Sequence, residues 1–76
     1  MKLKIHNRIY NWTNIREIYP STKWDEGSYY PQIVIVYSNG EHRSVTFNME
    51  EYKKTENKNA LQTAQDLLDK AITEMA

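Results

Sequence analysis

Hydrophobic and polar residues alternate most regularly over residues 32–48, QIVIVYSNGEHRSVTFN. Two strand-like runs flank Asn39-Gly40, a pair that readily adopts the positive φ angles of a two-residue type I′ turn. The pattern therefore predicts a β-hairpin in which Val34 lies opposite Val45. One face of this hairpin is the predicted core and the other is mixed. The predicted core face holds Val34, Val36, Val45 and Phe47, and the mixed face holds Ile33, Ile35, Tyr37, His42, Ser44 and Thr46.

Apolar residues recur at spacings of three and four from residue 59 onward, which predicts an amphipathic C-terminal helix. The apolar stripe consists of Ala60, Leu61, Ala64, Leu67, Leu68, Ala71, Ile72 and Met75. Packed across the predicted core face, this helix would bury its leucines and Ile72. The pattern as a whole predicts one α+β domain over residues 1–76, a three- to five-stranded antiparallel sheet with a central Asn-Gly hairpin and this helix.

A second helix start is indicated directly after the hairpin. Asn48 and Glu51 have the spacing of a capping box, and Phe47 and Tyr52 have that of a hydrophobic staple. These signals predict a helix that begins at Met49.

The first twenty residues leave two alternatives open. Residues 3–12 predict either two short strands joined near Asn7-Arg8 or one bulged strand. Ile15 and Ile18 then lie at helical spacing, with Thr13 as a candidate N-cap and Pro20 as the stop. A bulged strand over residues 14–19 fits the same pattern equally well.

Residues 20–31, PSTKWDEGSYYP, are rich in turn formers and are predicted to form a surface loop. The chain has two Trp and six Tyr, more large aromatics than so small a core can enclose, and several lie in or beside this loop. Trp and Tyr are common hot-spot residues of protein interfaces. The predicted protein-binding residues are Tyr19, Trp24, Asp25, Tyr29 and Tyr30. The alternative is that the loop folds over the Ile33/Ile35 face as a second small core. Unless this loop or the N-terminal segment covers it, that face is an exposed apolar patch for a partner or a second copy.

The net charge is zero but unevenly distributed. Residues 1–24 carry five basic side chains against one acidic (+4), and residues 25–51 carry one basic against five acidic (−4). This separation of positive and negative charge favours a protein partner, whereas a dedicated nucleic-acid binder usually has an excess of basic residues. The alternative function is single-stranded nucleic-acid binding by basic residues interleaved with aromatics. The residues of that alternative are Arg8, Tyr10, Trp12 and Arg16.

No arrangement of residues in the sequence indicates an enzyme, a metal site or a cofactor site. His6 and His42 lack partners at metal-ligand spacing, and Asp25-Glu26 has no nucleophile at a definable distance. The longest apolar run is far shorter than the ~20 residues of a membrane span, and the N-terminus lacks a signal-peptide core. The chain has no cysteine, which fits a reducing compartment, and the sequence predicts a cytoplasmic protein. Because no catalytic arrangement is found, the sequence also predicts that the protein is not an enzyme.

The order of the elements resembles a shortened bacterial pleckstrin-homology-like domain. The resemblance lies in IYNWTNIREI (9–18), IVIVYSNGEHRSVTF (33–47) and the C-terminal helix. It implies a sheet capped by that helix, but the family has seven strands in about 100 residues, and no binding residue carries over. The small, aromatic-rich, cysteine-free style also resembles phage and mobile-element proteins, including inhibitors of host defence systems.

Overall fold

Two antiparallel sheets and one α-helix make up the described part of this computed structural model, residues 2–5, 8–47 and 60–73. The strands are β1 (Lys2–Ile5), β2 (Arg8–Asn11), β3 (Ile15–Asp25), β4 (Ser28–Tyr37) and β5 (His42–Thr46), and the helix is α1 (Ala60–Thr73). β1 pairs with β2, and the second sheet has the order β3-β4-β5. The predicted α+β class and the C-terminal helix are confirmed.

The β4–β5 hairpin is present, but its predicted register was wrong by one residue. Ile33, and not Val34, lies opposite Val45. Because side chains alternate between the faces of a strand, this shift moves Ile33 and Ile35 onto the core face. Both are fully buried there. Val34 and Val36 occupy the opposite face, although they are buried as well.

The register differs because the loop has three residues and not two. The Gly40 amide donates to the Tyr37 carbonyl at 2.9 Å, and the Tyr37 amide donates to the Glu41 carbonyl at 2.8 Å. Gly40 has a φ of +91°, whereas Asn39 has no positive φ and accepts the Glu41 amide on its Oδ1 at 3.0 Å. This is a type I turn followed by a bulged glycine, and the predicted type I′ turn was wrong.

The N-terminal segment, one of the two covers that the sequence allowed, shares a core cluster with the Ile33/Ile35 face and α1, so that face is not an exposed apolar patch. Leu3 lies opposite Tyr10 in the β1–β2 ribbon, and both are buried. The core cluster comprises Leu3, Ile5, Tyr10, Ile33, Ile35, Phe47, Leu68 and Ala71. Of the two N-terminal alternatives, two short strands are found, with Arg8 inside β2. His6 and Asn7 lie outside the described residues.

Residues 12–25 form a short 3₁₀ turn (Trp12–Asn14) followed by a bulged strand, so the helical alternative was wrong. The cap is Asn11, and not Thr13: the Asn11 Oδ1 accepts the Thr13 amide at 3.1 Å and its hydroxyl at 2.8 Å. The strand register shifts between Ile15 and Glu17. This bulge places Ile15 and Ile18 on one face although they are three residues apart.

The predicted 20–31 loop is in fact a second hairpin between β3 and β4, closed by Glu26-Gly27. Glu26 has φ +47° and Gly27 has φ +82°, so this is the two-residue turn with two positive φ angles. Both prolines are compatible with a strand because each lies where no backbone N–H is needed for a hydrogen bond to a neighbouring strand. Pro20 is on β3, the edge of its sheet, and Pro31 lies beyond the end of β5.

We predict that Glu26→Asn stabilises the protein by roughly 0.5–1 kcal/mol. A left-handed conformation costs an ordinary L residue about 1–2 kcal/mol, and asparagine tolerates it better. Urea unfolding followed by circular dichroism measures the change. Glu41→Asn removes the same charge at a residue with negative φ and should change stability by less than about 0.5 kcal/mol. Equal effects of the two substitutions would contradict the turn assignment.

α1 packs on the sheet through one side of the predicted stripe. The buried helix residues are Ala60, Thr63, Ala64, Leu68 and Ala71. Leu61 and Ile72 are 50% and 40% exposed, so their predicted burial was wrong. The predicted helix start at Met49, with its cap, lies outside the described residues, as does Met75.

Candidate interaction surface

The end of the β3–β4 hairpin extends past the third strand. β5 pairs with β4 from Gln32 to Val36, and within the described residues the hydrogen bond nearest the tip joins the Phe47 amide to the Pro31 carbonyl at 2.8 Å. Residues 23–30, here called the hairpin tip, therefore form a two-stranded ribbon. At about 3.3 Å per residue the tip projects roughly 10 Å beyond the sheet.

Two aromatic side chains contact each other on this tip. Trp24 lies opposite Tyr29, with ring centroids 4.7 Å apart and ring planes at 62°, an edge-to-face pair. The Pro31 carbonyl points to β5, so the Thr22–Pro31 pair carries no ladder hydrogen bond. Hydrogen-bonded and non-hydrogen-bonded pairs alternate along an antiparallel ladder, so Trp24–Tyr29 is also a non-hydrogen-bonded pair. Side chains come closest in pairs of this kind. Trp24 and Tyr29 are 59% and 58% exposed.

The predicted contact residues divide between the two faces of the β3–β4 ribbon. Trp24 and Tyr29 lie on the face that continues from Ile33 and Ile35, because Tyr29 is separated from them by even numbers of residues. The others lie on the opposite face: Tyr19 beside Val34, Tyr30 beside Lys23, and Asp25 beside Ser28. Tyr19 is 39% exposed and Tyr30 is half-buried. The structure thus brings together two of the five predicted residues and separates the other three.

Charged side chains surround the aromatic pair at the tip. Lys23, Asp25 and Glu26 are all exposed, and together they make the tip net acidic. Exposed aromatics framed by exposed charges resemble the centre and rim of a protein interface.

The residues of the nucleic-acid alternative do not form one surface. Tyr10 is only 7% exposed and belongs to the core cluster, so its predicted stacking role was wrong. Trp12 is half-buried against the same cluster. Arg8 and Arg16 are exposed, the first on β2 and the second at the β3 bulge.

Sequence reasoning missed a second exposed surface, on the outer face of the β1–β2 ribbon. Ile9 is 65% exposed and lies opposite Lys4, with Lys2 and Asn11 as the next outward pair. The signal was the alternation in Lys2–Ile5, which places both lysines on the side opposite Leu3 and Ile5.

The described residues contain no group of three His, Asp or Glu side chains that could hold a metal ion. His42 is exposed on β5, Asp25 and Glu26 are exposed at the tip, and His6 lies outside the described residues. A shallow, open cleft of about 410 Å³ lies beside the β4–β5 turn, between Asn14 and Arg43. Its lining is mostly polar and consists of Asn14, Tyr37, Ser38, Asn39, Glu41 and Arg43.

No helix within the described ranges has the length and apolar character needed to cross a membrane.

Comparison of this chain with protein-family models, with curated proteins and with solved structures gives no match.

Proposed function

We propose that this protein is a small, non-enzymatic protein-binding module and that the hairpin tip is its contact surface. The observation that carries the proposal is the exposed edge-to-face pair of Trp24 and Tyr29 on a ribbon that projects beyond the sheet. Each ring leaves more than half of its surface in water, although the core lies on the same face of the ribbon.

The tip meets the physical requirements of an interface anchor. The β3–β4 ladder places the two rings opposite each other and their edge-to-face contact restricts their rotamers, so less side-chain entropy is lost on binding. Burying exposed Trp and Tyr against a partner contributes strongly to affinity, and such residues are frequent hot spots. The proposal therefore assigns the contact to Trp24 and Tyr29, with Asp25 and Glu26 as the charged rim.

A protein is a better partner for this surface than a nucleic acid. Bases stack on exposed aromatics, but phosphate attraction supplies most of the affinity of single-strand binders. The acidic tip repels phosphates, and Tyr10 of the basic N-terminal set is in the core.

The test is affinity capture from the native host with the Trp24→Ala/Tyr29→Ala variant. Loss of the two hot-spot rings should weaken partner capture by at least about thirtyfold, because truncating even one hot-spot ring costs about 2 kcal/mol or more. Mass spectrometry identifies the captured protein, and a host defence protein among the partners would support the inhibitor hypothesis.

Tyr19→Ala is the matched control, because it removes a partly exposed tyrosine from the opposite face of the sheet. It should retain the partner. Circular dichroism must show that the double variant stays folded, since its two rings lie outside the core. If the double variant unfolds, or captures the partner as well as the wild type, the tip is not the binding surface.

A further inference from the structure

We propose that the hairpin tip also binds the outer face of the β1–β2 ribbon of a second copy, so that two chains form a reciprocal, two-fold dimer. This inference rests on the proposed function in taking the tip to be a protein-binding surface. It names a second copy of the chain as a partner of the tip. Self-association then competes with the binding of any other partner at the same surface.

The first of the two surfaces is basic with an apolar centre. On the outer face of the ribbon, Ile9 lies opposite Lys4, and Lys2 follows on the same side. Ile9 is 65% exposed and both lysines are exposed. Neither β1 nor β2 contains an acidic residue.

The second surface, the tip, is complementary to the first. Its aromatic pair supplies the apolar contact for Ile9, and Glu26, in the turn next to that pair, supplies negative charge for Lys4. The two surfaces therefore match in both polarity and charge, which is the arrangement that selects a partner and fixes its orientation.

The two surfaces face the same side of the molecule. The inner side of the β1–β2 ribbon packs on the Ile33/Ile35 face of the sheet, so its outer side points away from that face. Trp24 and Tyr29 also project from that face, about six residues or 20 Å further along β4 than Ile35.

This placement gives each chain a step shape. At the core end the sheet carries the β1–β2 ribbon and α1, whereas Trp24 and Tyr29 at the tip remain more than half exposed. A second copy turned by a two-fold rotation places its tip over the ribbon of the first chain and receives the first tip over its own ribbon. Each contact therefore occurs twice, and the assembly closes at two chains.

The experiment is sedimentation equilibrium of the full chain over a range of concentrations at low salt, with a charge exchange. Lys4→Glu and Glu26→Lys should each weaken the dimer about tenfold, because each ion pair is present twice. The combined variant Lys4→Glu/Glu26→Lys should restore it. Glu17→Lys makes the same charge change on the opposite face of the sheet and should leave the dimer unchanged.

Trp24 fluorescence gives an independent readout. Its emission should shift to shorter wavelength as concentration rises, and Trp24→Phe should remove that shift while Trp12 remains. A monomer at every concentration, or a dimer insensitive to Lys4→Glu and Trp24→Ala, would overturn the self-docking proposal. Neither result bears on capture of a different protein by the tip, so the two proposals fail separately.

Discussion

Ile35→Ala is expected to lower the free energy of unfolding by about 3 kcal/mol. Ile35 is fully buried on the central strand, between Ile18 on β3 and Arg43 on β5. Truncating a buried isoleucine removes transfer free energy and leaves a cavity, at a typical cost of roughly 2–5 kcal/mol. For a chain of this size that is a large part of the total stability. Urea unfolding monitored by circular dichroism measures the loss.

Ile9→Ala is the matched control for this substitution. Ile9 is also on a strand but is 65% exposed, so its truncation should cost no more than about 1 kcal/mol. The comparison also tests the hairpin register. A small effect at Ile35 together with a loss of about 3 kcal/mol for Val34→Ala would indicate that Val34 lies on the core face after all.

Leu68→Ala is expected to cost a similar amount, about 3 kcal/mol, because it removes the largest buried side chain that α1 contributes to the core cluster. Alanine has the highest helix propensity, so the loss reports packing and not helix formation. Thermal and urea unfolding both measure it.

Leu61→Ala makes the same chemical change in the same helix, at a residue that is 50% exposed. It should cost less than about 1 kcal/mol, because little apolar surface is buried there. If the two leucines gave equal losses, α1 would pack on the sheet through a different side from the one described.

The candidate site was predictable in its residue types but not in its geometry. The excess of Trp and Tyr indicated exposed aromatics around residues 19–30, and Trp24 and Tyr29 are indeed exposed. The sequence did not reveal that they form one pair, because the turn-forming residues suggested a loop. Without the ladder, no rule assigns Trp24 and Tyr30 to opposite faces.

Elements whose signal is local and repeated could be predicted from the sequence alone. Seven apolar positions at helical spacing, from Ala60 to Ile72, are enough to specify α1, and alternation with Gly40 is enough to specify a β4–β5 hairpin. These features follow from the periods of the helix and the strand, which depend on neighbouring residues alone.

The tertiary structure decided the turn type, the register and the covering of each face. Asn39-Gly40 is compatible with a two-residue and with a three-residue loop, and the choice places either Val34 or Ile35 on the face that meets Leu3 and Leu68. Val34 and Val36 on one face and Ile33 and Ile35 on the other are all β-branched and apolar. The local pattern therefore does not indicate which of the two faces meets the rest of the core. What decides is contact across distant parts of the chain, since Leu3, Tyr10 and Leu68 meet Ile33 and Ile35 only after folding.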